Sequence, residues 1–269
     1  PSMLEVLQGG SFFTRGNASS QVSRAISCLT WRQRYIHAPE YPLKVRSVTM
    51  PLRQLKQGEL RGLGTGATVW AAAHVLCKYL ERRYSSEGRP LASCMSGLRV
   101  IDLGAGTGAV GLAAGLMGAS VTLTDEEQLT FLMHENLDRV RIASKQSDLG
   151  VASSSGIGND IDSGATLDVH VTTYDWGGDD AHLAPLPFDV VLVSDCILPK
   201  LYPIEPLVAA LCALTEPRSS SVRESEEFVS APVIIMSYEH RTWKDFDPRD
   251  RFDELAAAAG LCKRVVPHA

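Results

Sequence analysis

The run VIDLGAGTGAVGLAAGL, residues 100–116, constrains this chain more than any other stretch. An almost continuous apolar segment carrying Asp102 near its end reads as a strand covered on both faces. Gly104, Gly106 and Gly108 then turn the backbone, and GAVGLAAGLMG begins a helix. The same alternation continues downstream. SVTLTD (120–125) is a second strand, and EEQLTFLMHENLDRVR sets Leu129, Leu132, Met133, Leu137 and Val140 on one helical face. LDVHVTTYDW (167–176), FDVVLVSD (188–195) and PVIIMSYE (232–239) are three further strands, with helices near 203–215 and 248–259. Apolar strands alternating with helices predict an α/β fold, a doubly wound and mostly parallel sheet. Upstream, YPLKVRSVTMPLRQLKQ predicts a hairpin and ATVWAAAHVLCKYLERR an amphipathic helix, together an N-terminal extension of the domain.

Composition narrows the partners. The net charge of −5, without a basic run, points away from nucleic acid. No 18-residue apolar span occurs, so no membrane partner is expected. Six scattered cysteines form no C-x-x-C pair, and H-E-x-x-H is absent, so no metal is expected. Free thiols fit a reducing compartment, and the expected location is cytoplasmic, with the nucleus also open to such a chain. From Ser11 to Ala38 the sequence carries Arg15, Arg24, Arg32 and Arg34 and no acid. Residues 1–38 therefore read as a flexible or transit-like arm, an organellar leader being its lesser reading. Residues 39–269 form one domain, interrupted by polar, aperiodic insertions at 143–166 and 216–232 that read as mobile. A monomer is the simplest expectation.

In an open α/β sheet, ligands bind beyond the carboxyl ends of the strands, where Gly104, Gly106 and Gly108 stand. The match to G-x-G-x-x-G through Gly111 is weak alone, and a P-loop is absent. Asp102 either braces the backbone N–H groups of the glycine loop or is an ordinary strand-end acid. Asp125 lies seventeen residues after Gly108, at the end of the second strand. A carboxylate there either accepts both ribose hydroxyls of a nucleoside or caps the helix that follows.

IDLGAGTG, LTD, YDWG and FDVVLVSDCI, in that order, resemble the seven-strand, S-adenosylmethionine-dependent methyltransferases. More narrowly they resemble methyltransferase family 16, the protein-lysine methyltransferases, as do GATVWAAAHVLCKYLE and SYEHRT. The resemblance covers roughly residues 60–266. It implies S-adenosyl-L-methionine as cofactor, S-adenosyl-L-homocysteine as product, and a protein-lysine N-methyltransferase acting on a chaperone, an elongation factor or an AAA ATPase. Carried over, Gly104, Ala105 and Gly106 line the methionine moiety and ribose, and Asp125 takes the ribose hydroxyls. Trp176 packs on the adenine unless it caps the sheet edge. Ser194 touches the cofactor near its reactive end, and Trp70 closes the pocket unless it is a core anchor. Asp195 carries the chemistry by orienting the acceptor amine, or caps the next helix. Glu239 lines the substrate side, or is a salt-bridged strand end.

Two departures stand out. Leu198 occupies the place where the family has an aromatic, three residues after the acid, and Tyr202 is the next aromatic able to serve the pocket. After CKRVVPHA no sequence remains for the family's last antiparallel strand, which is expected to be missing. Methylation of a small molecule and a non-catalytic cofactor-binding scaffold are the competing readings. A nicotinamide oxidoreductase is disfavoured, because no Y-x-x-x-K pair follows the loop.

Overall fold

A computed structural model of the chain describes residues 3–9, 35, 38–55, 65–152, 167–183, 186–198, 203–216, 231–239 and 247–266. In chain order the elements are β1 (Met3–Gly9), β2 (Glu40–Val45), β3 (Val48–Arg53), α1 (Ala71–Tyr84), β4 (Arg99–Leu103), α2 (Ala109–Leu116) and β5 (Ser120–Asp125). They continue with α3 (Glu127–Ala152), β6 (Val169–Thr173), β7 (Val190–Ser194), α4 (Ile204–Thr215), β8 (Val233–Glu239), α5 (Pro248–Ala258) and β9 (Cys262–Val265).

Seven strands form one sheet in the order β6-β5-β4-β7-β8-β1-β9, and every pairing in it is parallel. Strands buried on both faces explain the apolar runs. Val190 and Leu192 of β7 enter the core layer beneath α1, α2 and α3, while Val191 and Val193 enter the layer beneath α4 and α5. From β4 the chain moves outward to β5 and β6, then crosses back to β7 and β8. The order therefore reverses between β4 and β7. This is the doubly wound α/β arrangement, with its switch point at the carboxyl ends of β4 and β7. None of the helices among the described residues is long and apolar enough to cross a membrane.

The hairpin follows its period-two pattern. Tyr41, Leu43, Val45, Val48, Met50 and Leu52 face inward and complete the core layer of α1–α3. Its two-residue turn places Arg46 at φ +49°. α5 starts as its sequence dictates, with the Asp247 carboxylate accepting the Arg249 N–H at 2.9 Å and Pro248 in the first turn.

Two expectations, on residues 1–38 and on 143–166, are corrected. Residues 1–38 do not form an arm throughout, because Met3–Gly9 is a strand lying between β8 and β9 and parallel to both. A seven-residue extended segment meets the unpaired backbone groups of β8 there, which an arm free of the sheet would leave exposed. The missing strand next to β8 is thus replaced by β1, and no strand of the large sheet among the described residues is antiparallel. The segment 143–166 does not begin as a loop either. α3 runs on to Ala152, since nothing in SKQSDLGVA is a proline that would break the helix. Residues 153–166 and 217–230 lie outside the described residues.

Candidate functional site

The carboxyl ends of β4, β5 and β7 open into a cavity of about 480 Å³. Its floor is the glycine loop after β4. Gly104, Gly106 and Gly108 have φ of +63°, +56° and +78°, a region that favours glycine. A Cβ on Gly106 would stand 2.5 Å from the Gly66 carbonyl oxygen. One on Gly104 would meet Cys196 Sγ at 2.9 Å and Trp176 Cζ2 at 3.0 Å. The loop is drawn tight against both its neighbours, and the backbone itself forms the cavity floor.

Two aspartates frame that floor. Asp102 is buried, and its Oδ2 accepts the Gly111 N–H at 2.8 Å in the first turn of α2. The N–H it takes belongs to the helix, not to the glycine loop whose N–H groups the sequence reading gave it. Oδ1 of the same carboxylate is buried and finds no partner among the described residues. Burial pushes the Asp102 carboxyl up to about 7, against the lowering effect of the Gly111 N–H, and the nearby Asp125 raises it further. Asp125 accepts the Gly106 N–H at 2.7 Å through Oδ2 and the Glu126 N–H at 2.8 Å through Oδ1. Burial holds its pKa at about 6, the two N–H groups lowering it and Glu126 raising it. Asp125 thus ties the tip of β5 to the glycine loop. Each oxygen keeps a lone pair for a further donor.

The walls are aromatic. Trp70 precedes α1 and donates its Nε1–H to the Thr65 carbonyl at 2.8 Å. Trp176 stands over Gly104 in the turn after β6. Both line the cavity, as do Ala105 and Ser194. The Ser194 Oγ is buried without a partner among the described residues.

Asp195, one residue past β7, is the strained member of the site. It is buried with φ +58°, an uncommon conformation for a residue with a side chain. β8 holds it there. The Asp195 N–H donates to the Ser237 carbonyl at 2.7 Å, and its Oδ1 accepts the Glu239 N–H at 3.0 Å. Ser237 in turn donates its hydroxyl to the Ala72 carbonyl at 2.9 Å, seating α1 on β8.

Ten of the eleven residues singled out from the sequence are described, and nine of them line the one cavity: Trp70, Asp102, Gly104, Ala105, Gly106, Asp125, Trp176, Ser194 and Asp195. Glu239 is not among the lining residues; its contribution is the backbone N–H that fixes Asp195. Its strand-end position aligns it with the acid one strand over rather than with the cavity. Tyr202 lies outside the described residues. Leu198 is half-buried, with its N–H bonded to the Cys196 carbonyl at 3.2 Å.

The sequence reading missed part of the wall. Thr65 and Gly66 belong to GLGTGA, a second glycine-rich run ahead of α1 whose composition is a signal in itself. Cys196 lines the cavity beside Asp195, and burial pushes its thiol pKa up, with Asp125, Asp102 and Asp195 adding to the effect. It is a packing group here rather than a nucleophile.

Residues 51–152 match the family model described as lysine methyltransferase. Protein N-lysine methyltransferase METTL21A of Danio rerio is 47% identical over 83 residues, which make up 29% of this chain and 34% of that protein. EEF1A lysine methyltransferase 3 of Mus musculus is 42% identical over 79 residues, 28% of this chain and 31% of that protein. The chain thus spans about a third of the length of the curated relatives it matches. A solved structure, the SAM-dependent methyltransferase of Agrobacterium tumefaciens, covers 85% of this chain and 60% of its own at 15% identity, with a TM-score of 0.46. Residues 51–152 carry the end of the hairpin, α1, the glycine loop and both framing aspartates, so the match to the lysine methyltransferase model falls on the floor of the cavity and the acids that frame it.

Proposed function

We propose that the chain is an S-adenosylmethionine-dependent N-methyltransferase whose acceptor is a lysine side chain of a protein. The observation that carries this reading is the pairing of two kinds of wall in one cavity. Tryptophans face a glycine floor, and buried carboxylates surround the space between them. A flat adenine suits the aromatic face, and a cationic sulfur suits carboxylates and π systems.

The residues present fit such a cofactor. The glycine loop presents bare backbone to the cavity, and the unpartnered Asp102 Oδ1 and Ser194 Oγ are buried polar atoms that a ligand would satisfy. In this reading Gly104, Ala105 and Gly106 bind the methionyl and ribose portions, and Asp125 takes the ribose hydroxyls on its remaining lone pairs. Trp176 packs on the adenine, Trp70 closes the pocket, Ser194 lies near the reactive end, and Asp102 offers Oδ1 to the positively charged amino acid portion. When bound, the cofactor supplies a methyl group on a cationic sulfur, an electrophile ready for an in-line amine.

The chain's own residues do the rest. A lysine amine, with a reference pKa of about 10.4, must arrive deprotonated. Asp195 accepts a hydrogen bond from the amine and so aims the nitrogen lone pair, its carboxylate held in place by the Glu239 N–H. The bond from the Asp195 N–H to the Ser237 carbonyl and the left-handed backbone hold that carboxylate in one orientation before substrate arrives. The aromatic walls exclude water from the transfer. Among acceptors, an elongation factor is the class for which one relative is named; chaperones and AAA ATPases are the other candidates.

The test is incubation of the full chain with radiolabelled S-adenosylmethionine and cell lysate, next to Asp195→Asn. A discrete labelled protein that disappears with the variant supports the reading. Label confined to small molecules overturns the protein acceptor. Cofactor binding without any transfer overturns the enzyme and leaves a binding scaffold.

A further inference from the structure

The glycine loop is held from three sides, and one of them is a side chain that the reading above leaves unused. The Ala105 N–H donates to the Thr124 carbonyl at 3.0 Å, and Asp125 takes the Gly106 N–H, so β5 holds the loop's near end. The loop's far end, at Thr107, is held by Asn136, from the third turn of α3. Its Nδ2 donates to the Thr107 carbonyl at 2.9 Å. The same amide grips the last residue of β3. Its Oδ1 accepts the Arg53 N–H at 2.6 Å, and Nδ2 donates to the Arg53 carbonyl at 3.1 Å. Asn136 is fully buried, and its two donors and its carbonyl oxygen are all engaged. It binds the backbone of Arg53 as a neighbouring strand would, and passes its remaining hydrogen to the loop.

The hairpin leads from there back to the opposite wall of the cavity. Gln54, next in the chain and also buried, accepts the Val69 N–H at 2.8 Å on its Oε1 and donates Nε2 to the carbonyls of Tyr35 and Ala38. The Leu55 N–H donates to the Ala67 carbonyl at 2.9 Å. The segment so anchored carries Gly66, whose carbonyl is packed on Gly106. The contacts close a ring: glycine loop, Asn136, end of β3, segment 65–70, and glycine loop again.

From this ring we infer that Asn136 is a positioning residue for cofactor binding, setting the spacing between the floor of the cavity at 104–108 and its wall at 65–70. It touches neither cofactor nor acceptor. The inference rests on the methyltransferase reading only for the identity of the ligand. Without the amide, the Thr107 carbonyl is left buried and unpaired beneath a loop whose glycines are free to rearrange. The floor then loses its shape while the outer sheet and α5 keep theirs.

The test compares Asn136→Ala with Phe252→Leu, a buried core change on α5 on the far face of the sheet. Two readouts are needed: hydrogen exchange of residues 104–111, and the affinity for S-adenosylhomocysteine. The expected result for Asn136→Ala is exchange about tenfold faster in 104–111, unchanged exchange in 248–258, and binding about tenfold weaker. Phe252→Leu is expected to show the reverse pattern of exchange and wild-type affinity. Exchange or affinity at the wild-type level in Asn136→Ala overturns the inference. So does an equal acceleration at 104–111 in Phe252→Leu, which would mark the effect as general loosening. If Asn136→Ala does not fold, Asn136→Asp keeps the shape and the acceptor, loses the amide's donors, and carries the same readouts. Wild-type protein that binds no S-adenosyl nucleoside, with loop exchange still accelerated in the variant, overturns the methyltransferase reading and leaves the loop's positioning standing.

Discussion

The main-chain N–H of Glu239 donates to Oδ1 of Asp195 at 3.0 Å, so the tip of β8 aims the acid at the tip of β7. Together with the bond from the Asp195 N–H to the Ser237 carbonyl, this holds a side-chain-bearing residue at φ +58°. Such a conformation persists only when its surroundings over-determine it. Asp195→Asn keeps the acceptor for Glu239 and removes the charge. Turnover should fall about a hundredfold, with affinity for the cofactor changed less than threefold, as read by single-turnover kinetics and calorimetry.

Gly106→Ala should abolish cofactor binding. The new methyl would lie 2.5 Å from the Gly66 carbonyl oxygen at a φ that side chains avoid, and backbone on both sides prevents an easy shift. A loss of about 2 kcal/mol or more in denaturant unfolding is expected. An intact binding isotherm would contradict the floor described for this cavity.

Asp102 sets a conflict between stability and binding. Its folded pKa of about 7 lies above its unfolded value, so the folded state holds the proton more tightly. Its contribution to stability is therefore full at low pH and lost as pH rises from about 4 to about 7. Asp102→Asn keeps an oxygen for the Gly111 N–H and should gain stability at pH 8, on the order of 2–4 kcal/mol. The same change should weaken binding of the cationic S-adenosylmethionine. Thermal melts at pH 5 and pH 8 provide the check, the gain appearing only at the higher pH.

Binding by the wild-type protein should follow the opposite course. With Asp102 near 7 and Asp125 near 6, both carboxylates gain protons as pH falls from 8 to 5.5. Affinity for S-adenosylmethionine and for S-adenosylhomocysteine should drop alike over that interval, because both carry the ammonium group and the ribose that these acids are proposed to face. A flat pH profile for both would mean that these acids face neither the ammonium group nor the ribose.

Ser194→Ala separates a ligand contact from a structural one. The Oγ is buried with no partner among the described residues, so its removal should leave stability unchanged or raise it by up to about 1 kcal/mol. If the hydroxyl serves the reactive end of the pocket, turnover should nevertheless fall severalfold. Unaltered kinetics would remove Ser194 from the site.

The sequence by itself determined the five strands β4 to β8 and the place of the glycine turn. Strands buried on both faces must be apolar throughout, and Gly104, Gly106 and Gly108 have φ in the region that favours glycine. The hairpin and α1 were legible for the same reason, through their periods. Tertiary structure alone decided where β1 goes. Its pairing with β8 and β9 depends on backbone groups more than 200 residues away, which no local pattern records. Tertiary structure likewise decided that the Glu239 N–H meets Asp195, since register between neighbouring strands selects which atoms face each other. Asn136 shows the same limit most plainly. In HENLDRV it reads as one polar residue on a helix, and it becomes a fully buried clamp because β3 and the glycine loop arrive on either side of it.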